Sequence, residues 1–129
     1  MNTTSKKVMI VEDDEHISRV YEIKLAKEGL TSLTVRDGEE AVAKIASERP
    51  DLILLDLMLP KKDGFWVLEQ MGKNPDLVKI PVVVLSNLGQ QSDQDRALEL
   101  GAKEYLVKVD TSIQDVVDKV KGYLGNGGN

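Results

Sequence analysis

The feature that most constrains the fold is an unbroken run of aliphatic residues, Leu52–Leu55, that ends on the carboxylate of Asp56. A continuous apolar run bounded by turn-forming residues is typical of a strand that is buried on both faces. Pro60 and Gly64 follow soon after Asp56 and prevent the strand from continuing. An unpaired carboxylate at the end of a buried strand is costly, so Asp56 needs compensation. These residues alone leave two alternatives open, a turn-capping role and a functional one.

Strands and helices alternate along the chain. Each of five short apolar or β-branched runs is followed by a segment with apolar residues at helical spacing. The predicted strands are Lys7–Val11, Thr31–Val35, Leu52–Leu55, Val82–Leu85 and Glu104–Val107. The first helix is predicted over Glu15–Glu28, and the fourth, with few apolar anchors, over Gln91–Leu100. Such alternation requires crossover connections, so we expect a doubly wound α/β domain with a parallel sheet and helices on both faces.

Composition indicates a single domain. The chain has 129 residues, of which 41% are hydrophobic, and this is enough for one core but not for two. We predict a domain over residues 6–124, with flexible termini at residues 1–5 and 125–129. The absence of cysteine excludes a disulfide framework and a thiolate metal site.

Charge and hydropathy argue against several functional classes. The net charge of −5 and the lack of a stripe of Lys and Arg argue against direct nucleic-acid binding. The polar N-terminal segment lacks the apolar core of a signal peptide, and no apolar run is long enough to span a bilayer. We therefore expect a soluble, cytoplasmic protein without membrane contact.

Polar residues follow four of the predicted strands. They are Glu12, Asp13 and Asp14 after the first strand, Asp56 after the third, Ser86 after the fourth and Lys108 after the fifth. Parallel strands end at one edge of a sheet, where ligands bind in doubly wound folds, so these side chains are expected to converge. Converging carboxylates repel one another unless a cation lies among them. Oxygen ligands without histidine or thiolate indicate Mg²⁺, which leaves coordination positions for a phosphate.

These residue types together predict a site for phosphoryl transfer. Asp56 would be the nucleophile that forms an aspartyl phosphate, Ser86 would hydrogen-bond a phosphate oxygen, and Lys108 would neutralise its charge. The simplest alternative is a set of unrelated caps and surface charges. Another alternative is a Mg²⁺-dependent phosphatase, but such enzymes typically carry a second Asp two residues after the nucleophile, where this chain has Met58.

At these residues the chain resembles the receiver domain of bacterial two-component response regulators. The resemblance covers nearly all of residues 6–124. It rests on Asp13-Asp14, the frame of Asp56, Pro60 and Gly64, Ser86, the Gly101-Ala102 turn, Tyr105 and Lys108. It implies a flavodoxin-like sheet of five parallel strands in the order 2-1-3-4-5.

The resemblance also implies roles for the acidic residues. Asp56 would accept a phosphoryl group from a histidine of a sensor kinase or a phosphotransfer protein. Asp13 and Asp14 would bind Mg²⁺ together with Asp56, and the backbone carbonyl of Met58 would be a further ligand. The protein would then not be an enzyme beyond assisting its own phosphorylation and dephosphorylation.

For signalling, the resemblance implies a switch pair formed by Ser86 and Tyr105. Phosphorylation would change the surface of helix four, strand five and helix five, which would recruit an unknown output protein. The charged pattern with which some receivers dimerise is not evident along Lys103, Glu104 and helix five. We therefore expect a monomer in the unphosphorylated state.

One departure from the family pattern lies beside the predicted phosphate site. Receivers usually carry proline after the lysine, often with a cis bond, whereas Val109 follows Lys108 here. A cis bond without proline costs about 2.5–4 kcal/mol, so we predict a trans Lys108–Val109 bond. A receiver-like binding module that is not phosphorylated is a further alternative, but the intact Asp14, Asp56 and Lys108 argue against it.

Three residues near the site receive other interpretations. His16, the only histidine, has no second soft ligand and is predicted to lie at the surface. Glu12 is interpreted as a supporting partner of the site rather than a metal ligand. Trp66 shares a helix face with charged residues and is predicted to be largely exposed, as a contact surface, although the ring could also lie flat on a neighbouring loop.

Overall fold

The computed structural model describes residues 6–125, in which five strands and five α-helices alternate. The strands are β1 (Lys7–Val11), β2 (Thr31–Val35), β3 (Leu52–Leu55), β4 (Val82–Ser86) and β5 (Glu104–Val107). The helices are α1 (Glu15–Lys27), α2 (Gly38–Glu48), α3 (Gly64–Gly72), α4 (Gln91–Glu99) and α5 (Ile113–Leu124), with a one-turn 3₁₀ helix (Lys108–Asp110) after β5. Of the termini predicted to be flexible, residues 1–5 and 126–129 lie outside the described residues.

The five strands form one parallel sheet in the order β2-β1-β3-β4-β5, which confirms the predicted fold class. Every residue of β3 and β4 is buried, because helices cover both faces of the central strands. The chain moves from β1 to β2 on one side and then returns to β3 on the other. The strand order therefore reverses between β1 and β3, and a crevice is expected at the edge where the strands end, here called the carboxyl edge.

Alternating residues of each strand fill two separate cores. On one face, Met9 and Ile53 pack with apolar residues of α2, α3 and α4. On the other face, Ile10 and Leu54 pack with apolar residues of α1 and α5. The continuous apolar run of β3 thus serves both cores, since neighbouring side chains of a strand point to opposite faces.

Short polar side chains cap four of the five helices. Asp37 accepts from the Glu40 N–H at the start of α2. Ser112 caps α5 by accepting from the Asp115 N–H, whereas the preceding Thr111 donates to the Val107 carbonyl. Only α4 starts without a side-chain cap, and its single buried residue is Ala97. No helix among residues 6–125 is long and apolar enough to cross a membrane.

The structure decides two further predictions. All described peptide bonds are trans, so the prediction for Lys108–Val109 is confirmed. The prediction of a largely exposed Trp66 is wrong, because its ring is partly buried against the core on the α2–α4 face. Lys62 Nζ lies 5.5 Å from the centre of this ring. Trp66 stands in the first turn of α3, where its ring packs against the core cluster that contains Phe65 and Leu68.

Candidate functional site

Asp56 directly follows β3 and lies at the crevice between β1 and β3. Its N–H donates to the Val11 carbonyl at 3.1 Å, and only 5% of the residue is exposed. Its Oδ1 accepts from the Met58 N–H at 3.0 Å, and its Oδ2 accepts from Lys108 Nζ at 2.8 Å. Asp56 therefore stabilises the following turn, which is one of the two roles that the sequence left open, and its pairing with Lys108 compensates the burial of its charge.

Lys108 provides that cation from the first residue of the 3₁₀ helix. Its side chain is 13% exposed, and Nζ lies 2.6 Å from Glu12 Oε1 as well as 2.8 Å from Asp56. Burial alone would lower the pKa of Lys108, but the hydrogen bonds and charges of the two carboxylates outweigh it and raise the pKa above its usual value. Lys108 is therefore charged at neutral pH, and the trans bond to Val109 does not keep it from the pocket.

Glu12 is buried beside Asp56 and is more central than the sequence suggested. Only 4% of the residue is exposed, and Oε2 accepts from the Asp14 N–H at 3.0 Å. Desolvation raises the pKa of Glu12, and the hydrogen bonds from Lys108 and Asp14 oppose this only in part. Carboxylate oxygens of Glu12, Asp13 and Asp56 lie within 4.8 Å of one another. The structure thus brings together two predicted acids and one that had been given a supporting role.

Asp14 does not belong to this group. Its backbone is extended, and its Oδ1 accepts from the N–H groups of His16 at 2.8 Å and Ile17 at 3.2 Å, so it caps α1. The structure groups Asp13 with Glu12 and Asp56, whereas the sequence analysis paired Asp13 with Asp14. The physical reason is that the first free N–H groups of α1 need an acceptor and Asp14 immediately precedes the helix. His16 is exposed, as predicted.

The charge of the acidic group fits a hard divalent cation. The three clustered carboxylates outnumber the single ammonium of Lys108 by two formal negative charges. Carboxylate oxygens are the ligands that Mg²⁺ prefers, and each carboxylate raises the cost of ionising its neighbours when no cation is present. The residues at the carboxyl edge therefore match the ion that the sequence predicted.

Ser86 and Tyr105 meet at the backbone of Leu88. Ser86 is fully buried at the end of β4, and its Oγ accepts from the Leu88 N–H at 3.4 Å. Tyr105 is half-buried on β5, and its hydroxyl donates to the Leu88 carbonyl. Burial, followed by the charges of Asp93 and Asp56, raises the pKa of Tyr105. The predicted switch pair is thus joined through the loop between β4 and α4.

Arg36 is a residue of the site that the sequence analysis missed. Its Nη1 donates to the Glu12 carbonyl at 3.2 Å and to Ser18 Oγ at 2.9 Å. The signal was present, because Arg36 directly follows β2. Of the five strands, β2 is the one whose following residue was not considered. Any residue that follows a strand of a parallel sheet lies at the same edge as the site.

Comparisons with known proteins agree with this geometry. A family model described as the response regulator receiver domain matches residues 8–121. The chain is 40% identical over 108 residues to "Probable transcriptional regulator ycf27" of Cyanophora paradoxa, a match that covers 84% of this chain and 44% of that protein. It is 38% identical over 120 residues to the alkaline phosphatase synthesis transcriptional regulatory protein PhoP of Bacillus subtilis, covering 93% of this chain and 49% of that protein. The chain therefore spans about half the length of the curated relatives it matches.

Solved structures show the same fold. The crystal structure of the phosphorylated cyanobacterial phytochrome response regulator RcpA superposes with a TM-score of 0.86 and 36% sequence identity. This match covers 98% of both chains. The BeF3-activated N-terminal receiver domain of RstA from Klebsiella pneumoniae superposes with a TM-score of 0.84 at 30% identity, covering 92% of this chain and 98% of that one.

Proposed function

We propose, from the premise that this chain belongs to the response regulator receiver domain family, that Asp56 is the residue that accepts its phosphoryl group. Phosphorylation-activated signalling is the role of that family. The observation that carries the proposal is the position of Asp56, which is buried where the strand order reverses. The ammonium of Lys108 contacts one of its oxygens, and the carboxylates of Glu12 and Asp13 lie nearby.

In the proposed step, a carboxylate oxygen of Asp56 attacks the phosphorus of a phosphohistidine on a partner protein. The P–O bond to Asp56 forms as the P–N bond breaks, and the departing nitrogen keeps the electron pair. The imidazole leaves neutral because its other ring nitrogen carries the proton. Lys108 then balances negative charge on the phosphoryl oxygens, and the Ser86 hydroxyl donates a hydrogen bond to one of them.

The residues that would hold Mg²⁺ are Asp13, Asp56 and the backbone carbonyl of Met58, with Glu12 beside them. When bound, this ion offsets the negative charge that accumulates on the transferring phosphoryl group. The Met58 N–H orients Asp56 through its bond to Oδ1, which leaves the position of the carboxylate little freedom. Asp14 keeps its capping role in this proposal.

Phosphorylation would be transmitted through Ser86 and Tyr105. If Ser86 turns toward the phosphoryl group, it gives up its contact with the Leu88 N–H. The β4–α4 loop, in which the Leu88 carbonyl also accepts from the Tyr105 hydroxyl, is then released. The loop leads into α4, which is anchored by one buried residue. We therefore propose that the surface formed by α4, β5 and α5 changes and recruits the output partner.

The phosphodonor would be a sensor histidine kinase or a phosphotransfer protein. A groove between α1 and the start of α5 opens beside Lys108, and its lining is mainly apolar, with Ile17, Val20 and Ile113. Val109, the next residue along the chain, is 79% exposed. Exposed apolar side chains at the entrance of a charged pocket suit a protein partner rather than a small metabolite.

Intact-mass spectrometry after incubation with phosphoramidate and Mg²⁺ tests the proposal. The wild-type chain should gain one phosphoryl group, and chelation of Mg²⁺ should prevent this. Asp56→Asn should gain none, whereas Asp76→Asn, a matched change at an exposed turn residue, should be labelled like the wild type. Full labelling of Asp56→Asn would rule out Asp56 as the phosphoacceptor.

A further inference from the structure

The acidic loop, residues 12–14 between β1 and α1, carries three consecutive carboxylates. Glu12 and Asp13 belong to the group with Asp56, but the ion pairs that Lys108 makes are with Glu12 and Asp56. Carboxylates at this separation repel one another while no divalent cation is bound. This repulsion opposes the hydrogen bonds by which the Glu12 and Asp14 side chains hold the loop, so contacts from outside the loop are needed to reinforce its shape.

Arg36 supplies such contacts from the opposite side of the loop. One nitrogen, Nη1, donates both to the Glu12 carbonyl and to Ser18 Oγ. Ser18 is fully buried on α1, and its hydroxyl donates in turn to the Glu15 carbonyl at 3.1 Å. Arg36 thus connects the residue where the loop starts to the first turn of the helix where it ends.

Arg36 is itself fixed at the end of β2. Its N–H donates to Glu40 Oε1 at 3.0 Å, and the residue is half-buried. The Glu12 N–H donates to the Val35 carbonyl at 3.0 Å, so both backbone polar groups of Glu12 are bonded to the β2 end. Within residues 6–125, Arg36 forms no ion pair shorter than 4.0 Å, which means that hydrogen bonds to backbone and hydroxyl oxygens are its direct role.

We infer that Arg36 is a positioning residue that holds the acidic loop in the shape that binds the divalent cation, an inference that rests on the proposed function. A preformed loop needs less ordering when the ion binds, which increases affinity. The positive charge of Arg36 acts in the other direction, because a nearby cation disfavours a divalent ion. The two effects have opposite signs, so the metal affinity of a variant distinguishes them.

The test is a titration with Mn²⁺ followed by electron paramagnetic resonance, with Mg²⁺ as competitor. Arg36→Met keeps the apolar stem and removes the donors, and it should bind Mn²⁺ about fivefold to tenfold more weakly. Arg36→Lys should recover part of the affinity, because an ammonium can still donate to one of the two oxygens. An affinity within twofold of the wild type, or a tighter one, would overturn the inference.

Hydrogen exchange of the metal-free protein gives a second readout. In Arg36→Met, amides 13–18 should exchange faster than in the wild type, and equal exchange would contradict the positioning role. Lys121→Ala is the matched control, since it breaks the Lys121 to Glu28 contact of 2.6 Å between α5 and α1 and should leave Mn²⁺ affinity unchanged.

Two outcomes need a separate decision. If Arg36→Met does not fold, Ser18→Ala tests the inference instead. This variant should bind Mn²⁺ about threefold more weakly than the wild type, and an affinity within twofold of the wild type, or a tighter one, would again overturn the inference. If the wild-type chain bound no Mn²⁺, the proposed metal site would fail. Metal-free exchange would still decide whether Arg36 holds the loop.

Discussion

The two halves of the carboxyl edge differ in the number of contacts that hold their loops and helices in place. In the half formed by β1, β2 and β3, the loops after the strands are fixed by capping carboxylates, by Arg36 and by the contacts of Glu12. In the half formed by β4 and β5, α4 lacks a side-chain cap and has Ala97 as its only buried residue. The proposed phosphoacceptor Asp56 and the acidic residues beside it therefore stand on the fixed half. The half that is predicted to respond contributes Ser86 and Lys108 to the site, and its helix α4 is anchored by few contacts.

Matched leucine variants should show the largest difference. Leu25 on α1 is fully buried, whereas Leu98 on α4 is 45% exposed. Leu25→Ala should lower the free energy of unfolding by about 2–5 kcal/mol, because it removes buried surface and leaves a cavity. Leu98→Ala should change it by no more than about 0.5 kcal/mol. Chemical denaturation measures both, and equal losses would remove the distinction between the two halves.

A glycine pair tests the close packing of the fixed half. A Cβ at Gly38 would lie 2.1 Å from the Lys62 carbonyl oxygen, so the β2–α2 turn and the β3–α3 loop can approach only because no side chain is present. Gly38→Ala should destabilise the fold by about 1–3 kcal/mol through overpacking. Gly72→Ala, with nothing within 4 Å, should be neutral or stabilise the helix by up to about 1 kcal/mol. Thermal unfolding measures the stability of both variants. If Gly72→Ala lost as much stability as Gly38→Ala, this explanation would be mistaken.

Helix caps should give smaller changes of opposite sign. Ser112→Ala removes the cap of α5 and should cost about 1 kcal/mol. Gln90→Ser adds a hydroxyl where α4 has none and should stabilise that helix by a similar amount. Hydrogen exchange of residues 91–99 should slow in Gln90→Ser. Unchanged exchange there would mean that the missing cap is not what leaves α4 loosely held.

The smallest effect is expected at the opposite end of the sheet, where a partly exposed ion pair serves as a reference for the buried pairs of Lys108. Lys7 Nζ donates to Glu48 Oε1 at 2.8 Å, and this hydrogen bond lowers the pKa of Glu48 below its usual value. Because the pKa is lowered, the pair stabilises the fold above pH 4.5, and this contribution is lost as the pH falls through the folded pKa. In Lys7→Ala the pKa of Glu48 should rise toward its usual value in an NMR titration. A pKa that stays low would contradict this cause.

Most of the fold was predictable from the sequence, because the strand pattern is continuous and each helix follows at the expected spacing. The rule that strand-ending residues converge found Asp56 and Lys108, which form an ion pair in the structure, since it needs only the order of elements. The same rule, applied to β2, would have found Arg36. It was missed because an arginine after an edge strand matched none of the expected ligand types.

The choice among the three consecutive acids was harder to predict. Neighbouring residues at the end of a strand point in different directions, and a linear pattern does not say which of them faces Asp56. One signal was present, however, because a helix predicted to start at Glu15 makes Asp14 its capping residue. The partial burial of Trp66 had no such signal, since it depends on packing against a core whose residues are distant in the sequence.

The most direct measurement is hydrogen exchange of the protein before and after phosphorylation of Asp56. The amides of residues 86–99, in the β4–α4 loop and α4, should change their exchange rates by about tenfold or more, whereas those of α1 from Ser18 to Leu25 should change by less than about twofold. Equal changes in α1 and α4, or no change in α4, would contradict the claim that the phosphoacceptor stands on a fixed half and that the loosely held α4 responds.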